Sequence, residues 1–374
     1  MKILKTIKFL ICYDPVLFIT FIVACISAVF VPPSLEYFTY IDIHVLSLLL
    51  MMMLVVAGMQ KVGLFDFIIA TLLNLVHTTR MLALVLIIVC FFASMLITND
   101  VALITFVPLG IMMLIRTHKE SLFIPIIVLQ TIAANLGSML TPLGNPQNLY
   151  LYSISGMNIG EFLKVMILPS ALSFLILLAS VFFIKSEKIT PFSEKQAVLI
   201  RRKKVMPWCI LFIICILAVL RVIPYQLAFI TVFVCVIFFD KKILFRADYA
   251  LLLTFIFLFI FIGNIRNIPE ISNILSELVK GQELAVGILL SQVISNVPAA
   301  MLLSRFTENH SALLVGVNLG GLGTLIASMA SVISYKLYAS TEKAQTWKYL
   351  LFFTAVNFLF LAILWSFAAL QMTI

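Results

Sequence analysis

Charged residues are scarce in this sequence of 374 residues: Asp, Glu, Lys and Arg together make up 11%, whereas apolar residues make up 63%. Soluble domains are nearer about half apolar and about one-quarter charged, so a soluble fold could not cover such a core with so few charges. Apolar runs near the bilayer-spanning length of about 20 residues recur along the chain. The composition therefore predicts a polytopic α-helical membrane protein.

Cysteine pairs, histidine clusters and nucleotide-binding loops are also missing. The six cysteines lie in or beside apolar runs without a CxxC pair, and the four histidines are far apart, so neither disulfides nor a metal centre is predicted. No nucleophile–base set is recognisable, so we expect neither an enzyme nor a cofactor. Because no GxxxxGK[ST] loop occurs, an ATP-driven pump would require a partner ATPase on another chain. No basic block alternates with aromatic residues, which argues against nucleic acid as a partner.

Nine apolar runs have the length of membrane spans. They are predicted at 16–31, 44–60, 121–153, 159–184, 206–222, 225–239, 249–266, 310–338 and 346–371. Two further runs, 80–116 and 282–306, are interrupted midway by polar residues. Each is predicted to be a re-entrant hairpin of two half-helices, because irregular backbone at membrane depth needs protein or water around it. Two amphipathic stretches, 64–76 and 270–279, are expected to lie along the membrane interface.

The net charge of +9 is explained by basic residues in the loops between spans. With nine spans and two hairpins that return to the same side, five of the 25 basic residues lie outside, namely Lys164, Arg221, Arg266, Lys280 and Arg305. The others lie on the cytoplasmic side, where Lys and Arg are enriched. The predicted location is the plasma membrane, which is the inner membrane of a bacterium, with a cytoplasmic N-terminus and an external C-terminus.

The chain contains an internal repeat, indicated by two pairs of matching segments in the same order. SMLITNDVA, which begins at Ser94, aligns with SQVISNVPA, which begins at Ser291, and Asn-Leu-Gly at 135–137 aligns with Asn-Leu-Gly at 318–320. An odd number of predicted crossings separates the halves, so they would be inverted, as in many secondary transporters. The predicted organisation is a first repeat at 1–185, a cytoplasmic linker at 186–205 and a second repeat at 206–374.

A span with helix-breaking residues follows each hairpin. The first, NLGSMLTPLGNPQNLYLY, contains Pro142 and Pro146, which cannot continue a helix, and the second, NLGGLGTLIASMAS, contains three glycines. For the second stretch, ordinary packing of small residues between helices is an alternative. The expected fold is an all-α inverted-repeat transporter with about nine spans, two re-entrant hairpins and two broken helices.

These segments resemble the ion-transporter superfamily, which includes arsenical-pump membrane proteins, citrate and dicarboxylate permeases and a group of sodium/proton antiporters. The matching motifs are TNDVALITFVPL at Thr98, GNPQN at Gly144, SNVPAAMLLS at Ser295 and NLGGLGTLIASMAS at Asn318. The Ser-Asn-Thr triplets of the dicarboxylate branch are absent, which favours the arsenical-pump and citrate-type permeases. The resemblance implies an elevator-type secondary transporter, and a homodimer is one assembly that it allows.

The candidate substrate- or ion-binding residues cluster at the hairpin tips and helix breaks. Helix N-termini and side-chain amides there would favour an anion, whereas free backbone carbonyls would suit Na⁺. The candidates are Thr98, Asn99, Asp100, Asn135, Gly137, Thr141, Gly144, Asn145, Asn148, Ser295, Asn296, Asn318, Gly320, Gly323, Thr324 and Ser328. A Na⁺ site is expected near Asn99, Asp100, Asn145 and Asn296.

Asp100 is the most deeply placed acidic residue in the predicted spans. Buried ionisable groups in membranes are costly and usually functional, but a plain helix N-cap is an alternative role for Asp100. The predicted function is secondary active transport of a small anion or oxyanion, citrate-like or arsenite-like, coupled to H⁺ or Na⁺. A sodium/proton antiporter of the same superfamily and a passive channel are the alternatives.

Overall fold

The computed structural model describes residues 15–65, 67, 76–189, 202–342 and 344–373. The predictions for the first 14 residues, for most of the amphipathic stretch 64–76 and for the centre of the 186–205 linker lie outside these residues. Seventeen α-helices are formed by the described part of the chain, and seven described segments are long and apolar enough to cross a membrane. The all-α polytopic fold is confirmed; the count of nine spans and the inverted repeat stay predictions.

The helices follow one another with short connections. They are α1 (Pro15–Phe30), α2 (Tyr37–Tyr40), α3 (Ile43–Lys61), α4 (Thr79–Ile97), α5 (Asn99–Arg116), α6 (Phe123–Ser138), α7 (Pro146–Ser155), α8 (Ile159–Val181), α9 (Arg202–Val219), α10 (Tyr225–Asp240), α11 (Tyr249–Arg266), α12 (Pro269–Val279), α13 (Glu283–Ile294), α14 (Asn296–Leu303), α15 (His310–Leu319), α16 (Met329–Ala339) and α17 (Thr346–Thr373). Short 3₁₀ turns occur at Glu120–Leu122, Lys241–Arg246 and Leu325–Ala327.

The chain forms two compact units, each assembled from separate parts of the sequence. The first unit comprises the described residues up to Gly58, Trp208–Gln282 and Met301–Glu308. The second comprises Met59–Pro207, Glu283–Ala300 and the described residues from Asn309 onward. The two compact units are defined by contacts, whereas the predicted repeats are defined by sequence. The units therefore do not test the predicted division into repeats.

In the first unit, α1 and α11 pack closely. Phe21 and Phe257 meet edge to face with ring centroids 5.2 Å apart, and Asn264 Nδ2 donates to Ser27 Oγ at 3.0 Å and to Tyr37 Oη at 2.9 Å. The buried amide thus joins α11 to α1 and α2. Interhelical hydrogen bonds of this kind add to the close packing that holds membrane helices together.

The amphipathic helix α12 also belongs to the first unit. Its apolar residues Ile271, Ile274 and Leu278 are spaced three and four apart, so they share one helix face, and all three are exposed. Glu270 and Glu277 supply charge to the same short helix. This distribution fits the predicted position along a membrane interface.

In the second unit, α6 is almost wholly buried and packs tightly against α4. A Cβ added to Gly137 would lie 2.1 Å from the carbonyl oxygen of Phe91, so only glycine permits this approach. The first hairpin is formed by α4 and α5, which contain 19 and 18 residues. At about 1.5 Å per residue each arm is about 28 Å long, so the expectation of half-helices is wrong for this hairpin. The arms of the second hairpin, α13 and α14, are short, with 12 and 8 residues.

The base of the first hairpin is fastened to the segment that follows α8. Thr79 Oγ1 donates to the carbonyl oxygen of Lys185 at 2.6 Å, and Thr79 N donates to the carbonyl oxygen of Glu187 at 2.9 Å. The carboxylate of Glu187 pairs with Lys119 and Lys185, and these hydrogen bonds and charges lower its pKa, with Lys119 contributing most. The hairpin is therefore anchored at its open end as well as packed along its length.

Candidate functional site

The tip of the first hairpin is a single residue, Thr98, between α4 and α5. Its backbone has φ 69° and ψ 151°, a region that residues other than glycine rarely adopt. Beyond the tip, Asn99 N donates to the carbonyl oxygen of Gly144 at 3.0 Å, and Asn99 Nδ2 donates to Asn135 Oδ1 at 3.1 Å. The residue after the tip therefore contacts both α6 and the helix break that follows α6.

This first break comprises residues 139–145, between α6 and α7. Asn145 caps α7 by accepting a hydrogen bond from Asn148 N at 2.9 Å. Asn148 Nδ2 lies 3.0–3.3 Å from the carbonyl oxygens of Ser138, Met139 and Thr141. The predicted break is present, and one side-chain amide satisfies the carbonyls that unwinding exposes.

The tip of the second hairpin is Ser295, which has φ 76° and lies between α13 and α14. Its hydroxyl lies 3.4 Å from the carbonyl oxygen of Ala327, which belongs to the second break, residues 320–328 between α15 and α16. Asn296 follows the tip with 4% of its surface exposed, and a Cβ added to Gly321 would lie 2.9 Å from its Nδ2. Because the helix is interrupted here, the alternative of continuous helix packing for this stretch is wrong.

The two breaks meet in one buried polar network within the second unit. Asn145 Nδ2 donates to Asn318 Oδ1 at 3.0 Å, and Asn318 Nδ2 donates to Asn148 Oδ1 at 2.6 Å. Ser328 Oγ donates to Asn135 Oδ1 at 3.0 Å, the same oxygen that accepts from the first hairpin tip. Candidates that are far apart in sequence are therefore hydrogen-bonded neighbours.

Helices α6 and α16, which flank the two breaks, run antiparallel. Thr131 Oγ1 donates to Ser334 Oγ at 2.8 Å, and Asn135, one turn later on α6, contacts Ser331, one turn earlier on α16, and Ser328, just before α16. An antiparallel pair of aligned helices is what two inverted halves would produce. The pair does not test the inversion, because α6 aligns in the repeat with α15 and not with α16, so the inversion stays a prediction.

Two threonines at equivalent positions of the repeat donate hydrogen bonds to backbone carbonyl oxygens that are also at equivalent positions. Thr141 Oγ1 donates to the carbonyl oxygen of Met95, and Thr324 Oγ1 donates to that of Gln292 at 3.0 Å. Met95 and Gln292 are aligned in the internal repeat, and each threonine lies four residues after its aligned glycine. The same local contact thus fastens each break to its hairpin.

Two matched glycines lie against matched serines in a similar way. A Cβ added to Gly137 would lie 2.6 Å from Ser94 Oγ, and one added to Gly320 would lie 2.7 Å from Ser291 Oγ. Both pairs align in the repeat. These glycines are therefore packing residues at which the chain after the hairpin approaches the hairpin's first arm.

Four helices begin around this network. They are α5 at Asn99, α7 at Pro146, α14 at Asn296 and α16 at Met329. The N-terminus of a helix carries partial positive charge and directs N–H groups outward, so it favours anions. The network itself consists of neutral amides and hydroxyls, and Asp100 is the acidic side chain beside it.

Asp100 is the second residue of α5, and its backbone N donates to Asn99 Oδ1 at 3.0 Å. The capping position is occupied by Thr98, so the alternative in which Asp100 is the N-cap is wrong. An acidic group in the first turn still interacts favourably with the helix dipole.

The break carbonyls considered for Na⁺ already accept hydrogen bonds. Gly144 O accepts from Asn99 N, and Gly320 O accepts from Gln292 Nε2 at 2.9 Å. Each carbonyl retains a second lone pair, so coordination of a cation stays a prediction. Among the described residues, no group of three or more His, Cys, Asp or Glu could hold a metal ion.

Gln292 was missed by the sequence reasoning. Gln292 lies in the second hairpin, at the position that aligns with Met95 of the first hairpin. Its side chain contacts the backbone of the second break. An amide near the end of a largely apolar arm, at a position where the other repeat has an apolar residue, was the signal that could have found it. The candidates Gly323 and Thr324 are both contacted by this one side chain.

An all-α membrane protein in which two helix breaks meet in a buried polar network has the architecture of a secondary transporter. The family model described as citrate transporter matches residues 13–333, and the chain belongs to this citrate transporter family of the ion transporter superfamily. The resemblance inferred from the sequence motifs is thereby confirmed. The protein is a membrane transporter, a class distinct from enzymes.

The chain is also similar to curated membrane proteins over most of their lengths. It is 31% identical over 336 residues to an uncharacterized transporter of Methanocaldococcus jannaschii, covering 89% of this chain and 91% of that protein. It is 28% identical over 320 residues to the inner membrane protein YbiR of Escherichia coli, covering 83% and 84%. It is 23% identical over 347 residues to a 46 kDa membrane protein of Mycobacterium leprae, covering 81% and 80%.

Proposed function

We propose that the protein is a secondary active transporter of a small carboxylate anion of the citrate class, coupled to Na⁺ or H⁺. The observation that carries this proposal is that four helices begin beside a network of uncharged amides and hydroxyls. Aligned N–H groups and helix dipoles attract carboxylates without a fixed positive charge. The family description, citrate transporter, agrees with a ligand of this chemistry.

Such a network is suited to binding an anion reversibly. A buried Lys or Arg would hold a polycarboxylate strongly, whereas dipoles and amides provide weaker and geometrically specific attraction. The remaining negative charge would have to be compensated by a cation that travels with the substrate. Asp100, in the first turn of α5, is the residue that we propose for contact with that cation.

The second unit is the part that would carry the substrate in an elevator-type movement. It contains both hairpin tips and both breaks, so every candidate binding residue belongs to the same compact unit. A site that is complete within one unit can move without being dismantled, as alternating access by rigid-body movement requires.

A counterflow assay tests this proposal. Proteoliposomes that contain the purified protein are loaded with unlabelled citrate, diluted into labelled citrate and compared with proteoliposomes loaded with succinate or arsenite. We expect transient accumulation of label that depends on internal citrate, because a carrier exchanges substrate across the membrane. Citrate flux without counterflow would indicate a channel, and Na⁺/H⁺ exchange without anion flux would indicate an antiporter; either result would contradict the proposal.

A further inference from the structure

The side chain of Gln292 forms three hydrogen bonds to the backbone of the second break and one, at 3.2 Å, to the carbonyl oxygen of Ile288 in its own helix. Its Nε2 donates to the carbonyl oxygens of Gly320 and Leu322, each at 2.9 Å, and its Oε1 accepts from Thr324 N at 2.9 Å. Its own carbonyl oxygen accepts from Thr324 Oγ1 at 3.0 Å. One residue of α13 thus forms hydrogen bonds to every second residue of the unwound chain, namely Gly320, Leu322 and Thr324.

These hydrogen bonds determine the directions in which the backbone carbonyl groups of the second break point. Because the carbonyls of Gly320 and Leu322 both point toward Gln292, the intervening carbonyl of Gly321 is left for the network, where it lies 3.5 Å from Asn135 Nδ2. Gly323 has φ 104°, and a Cβ there would lie 2.3 Å from Gln292 Oε1. The segment is therefore shaped to fit this side chain closely.

The two halves differ at this position. The aligned residue of the first hairpin is Met95, which has no amide, and the carbonyls of the first break are instead held by Asn148 from the helix that follows that break. The second break is thus positioned by the hairpin itself. Its geometry depends on a residue only three positions before the tip residue Ser295.

We propose that Gln292 is a positioning residue of the transport site: it orients residues 320–324 so that the second break and Asn296, next to the tip, present one fixed binding surface to the anion. The inference rests on the proposed function for its effect on transport, but its effect on the backbone is independent of any substrate. Gln292 acts through the break and does not itself need to touch the anion.

The test compares Gln292→Met with Gln130→Met in the full-length protein in lipid nanodiscs. Gln130 is a matched control, since it is also an amide of the second unit and donates to the carbonyl oxygen of Phe106 at 3.0 Å, away from the second break. Hydrogen–deuterium exchange across 318–328 is measured first. We expect at least tenfold faster exchange of the amide of Thr324 in Gln292→Met and no change there in Gln130→Met, because only the former removes the acceptor of that amide.

Citrate uptake is measured next, with half-saturating concentration and maximal rate determined separately. We expect Gln292→Met to raise the half-saturating concentration by roughly tenfold, the equivalent of one lost net hydrogen bond, with a smaller fall in maximal rate. Gln130→Met should leave the half-saturating concentration unchanged. If Gln292→Met does not fold, Gln292→Asn, whose amide is one methylene too short, should show the same two changes.

Each outcome bears on one claim. Unchanged exchange at 320–324 in both Gln292 variants would overturn the positioning role whether or not citrate is a substrate. Faster exchange with an unchanged half-saturating concentration would show that Gln292 stabilises the break without affecting anion binding, and this would overturn its role at the transport site. A wild-type protein that takes up no citrate would instead contradict the proposed function, and the exchange result would then decide the positioning role alone.

Discussion

The side-chain amides of Asn145 and Asn318, which are 173 residues apart in sequence, meet at 3.0 Å in the interior of the second unit. Asn145 is 1% exposed and Asn318 is 2% exposed, and Asn318 also donates to Asn148 Oδ1 and to the carbonyl oxygen of Leu314. The end of α15 is therefore joined both to the first break and to α7. A change at this contact should affect both halves of the site at once.

The first prediction concerns Asn318→Asp. The substitution removes both donors and introduces a charge facing two acceptors, so we expect destabilisation of about 3 kcal/mol or more and loss of transport. The midpoint of thermal unfolding in detergent and citrate uptake are the measurements. Asn267→Asp is the control, because Asn267 is exposed and donates to Tyr40 Oη outside the site; it should change neither quantity. An Asn318→Asp protein as stable as wild type would show that the amide contact is not formed.

The second prediction separates the two hairpin tips. Asn99→Ala removes the bonds to Asn135 Oδ1 and Asp100 N, so it should lower stability by about 1–3 kcal/mol as well as transport. Among the described residues, the Asn296 side chain accepts a single long hydrogen bond, at 3.5 Å from Ser295 Oγ, so Asn296→Ala should reduce transport with less effect on stability. Thermal unfolding and uptake of both purified variants decide this. Equal destabilisation by the two substitutions, or normal uptake by either, would contradict the assignment.

The third prediction concerns backbone strain at the first tip. Thr98 is β-branched and has a conformation that essentially only glycine adopts, at a cost of about 1–3 kcal/mol. Thr98→Gly should therefore raise the thermal unfolding midpoint. The greater conformational entropy of glycine in the unfolded chain offsets part of this stabilisation. Thr105→Gly, in the interior of α5, is the contrasting variant and should lower the midpoint. A fall in the midpoint for Thr98→Gly would show that the tip is not strained.

The fourth prediction concerns coupling. Asp100→Asn keeps the size of the side chain but removes the charge that we propose for the coupling cation. Citrate counterflow, which needs no cation gradient, should persist, whereas accumulation driven by a Na⁺ or pH gradient should be lost. Gradient-driven accumulation equal to wild type would show that Asp100 is not the coupling residue.

Much of the fold could be predicted from the sequence because the relevant signals are local. Long apolar runs indicate membrane helices, and Pro142, Pro146 and the three glycines after Asn318 interrupt a helix wherever they occur. The short aligned segments also located both tips, since Thr98 and Ser295 are each the single residue between two helices and each has a positive φ. The lengths of α4 and α5 were not predicted, because the polar triplet at 98–100 indicated a reversal but not its depth.

The partners within the site could not be predicted, since they depend on packing between distant segments. Nothing in the sequence indicates that Asn318 bonds to both Asn145 and Asn148, or that Asn135 accepts from both Asn99 and Ser328. The same reason explains why the break carbonyls were expected to be free. Their donors come from side chains whose positions are fixed only by the tertiary fold.

The most direct test of the central claim is accumulation of labelled citrate in proteoliposomes, with Na⁺ and pH gradients imposed separately and with wild type and Asn296→Ala compared at equal protein density. A secondary transporter that binds its anion at the meeting of the two breaks should concentrate citrate under at least one gradient, and Asn296→Ala should lose most of that uptake. Wild-type accumulation that is the same with and without both gradients, or that is unaffected by the Asn296 substitution, would contradict the account.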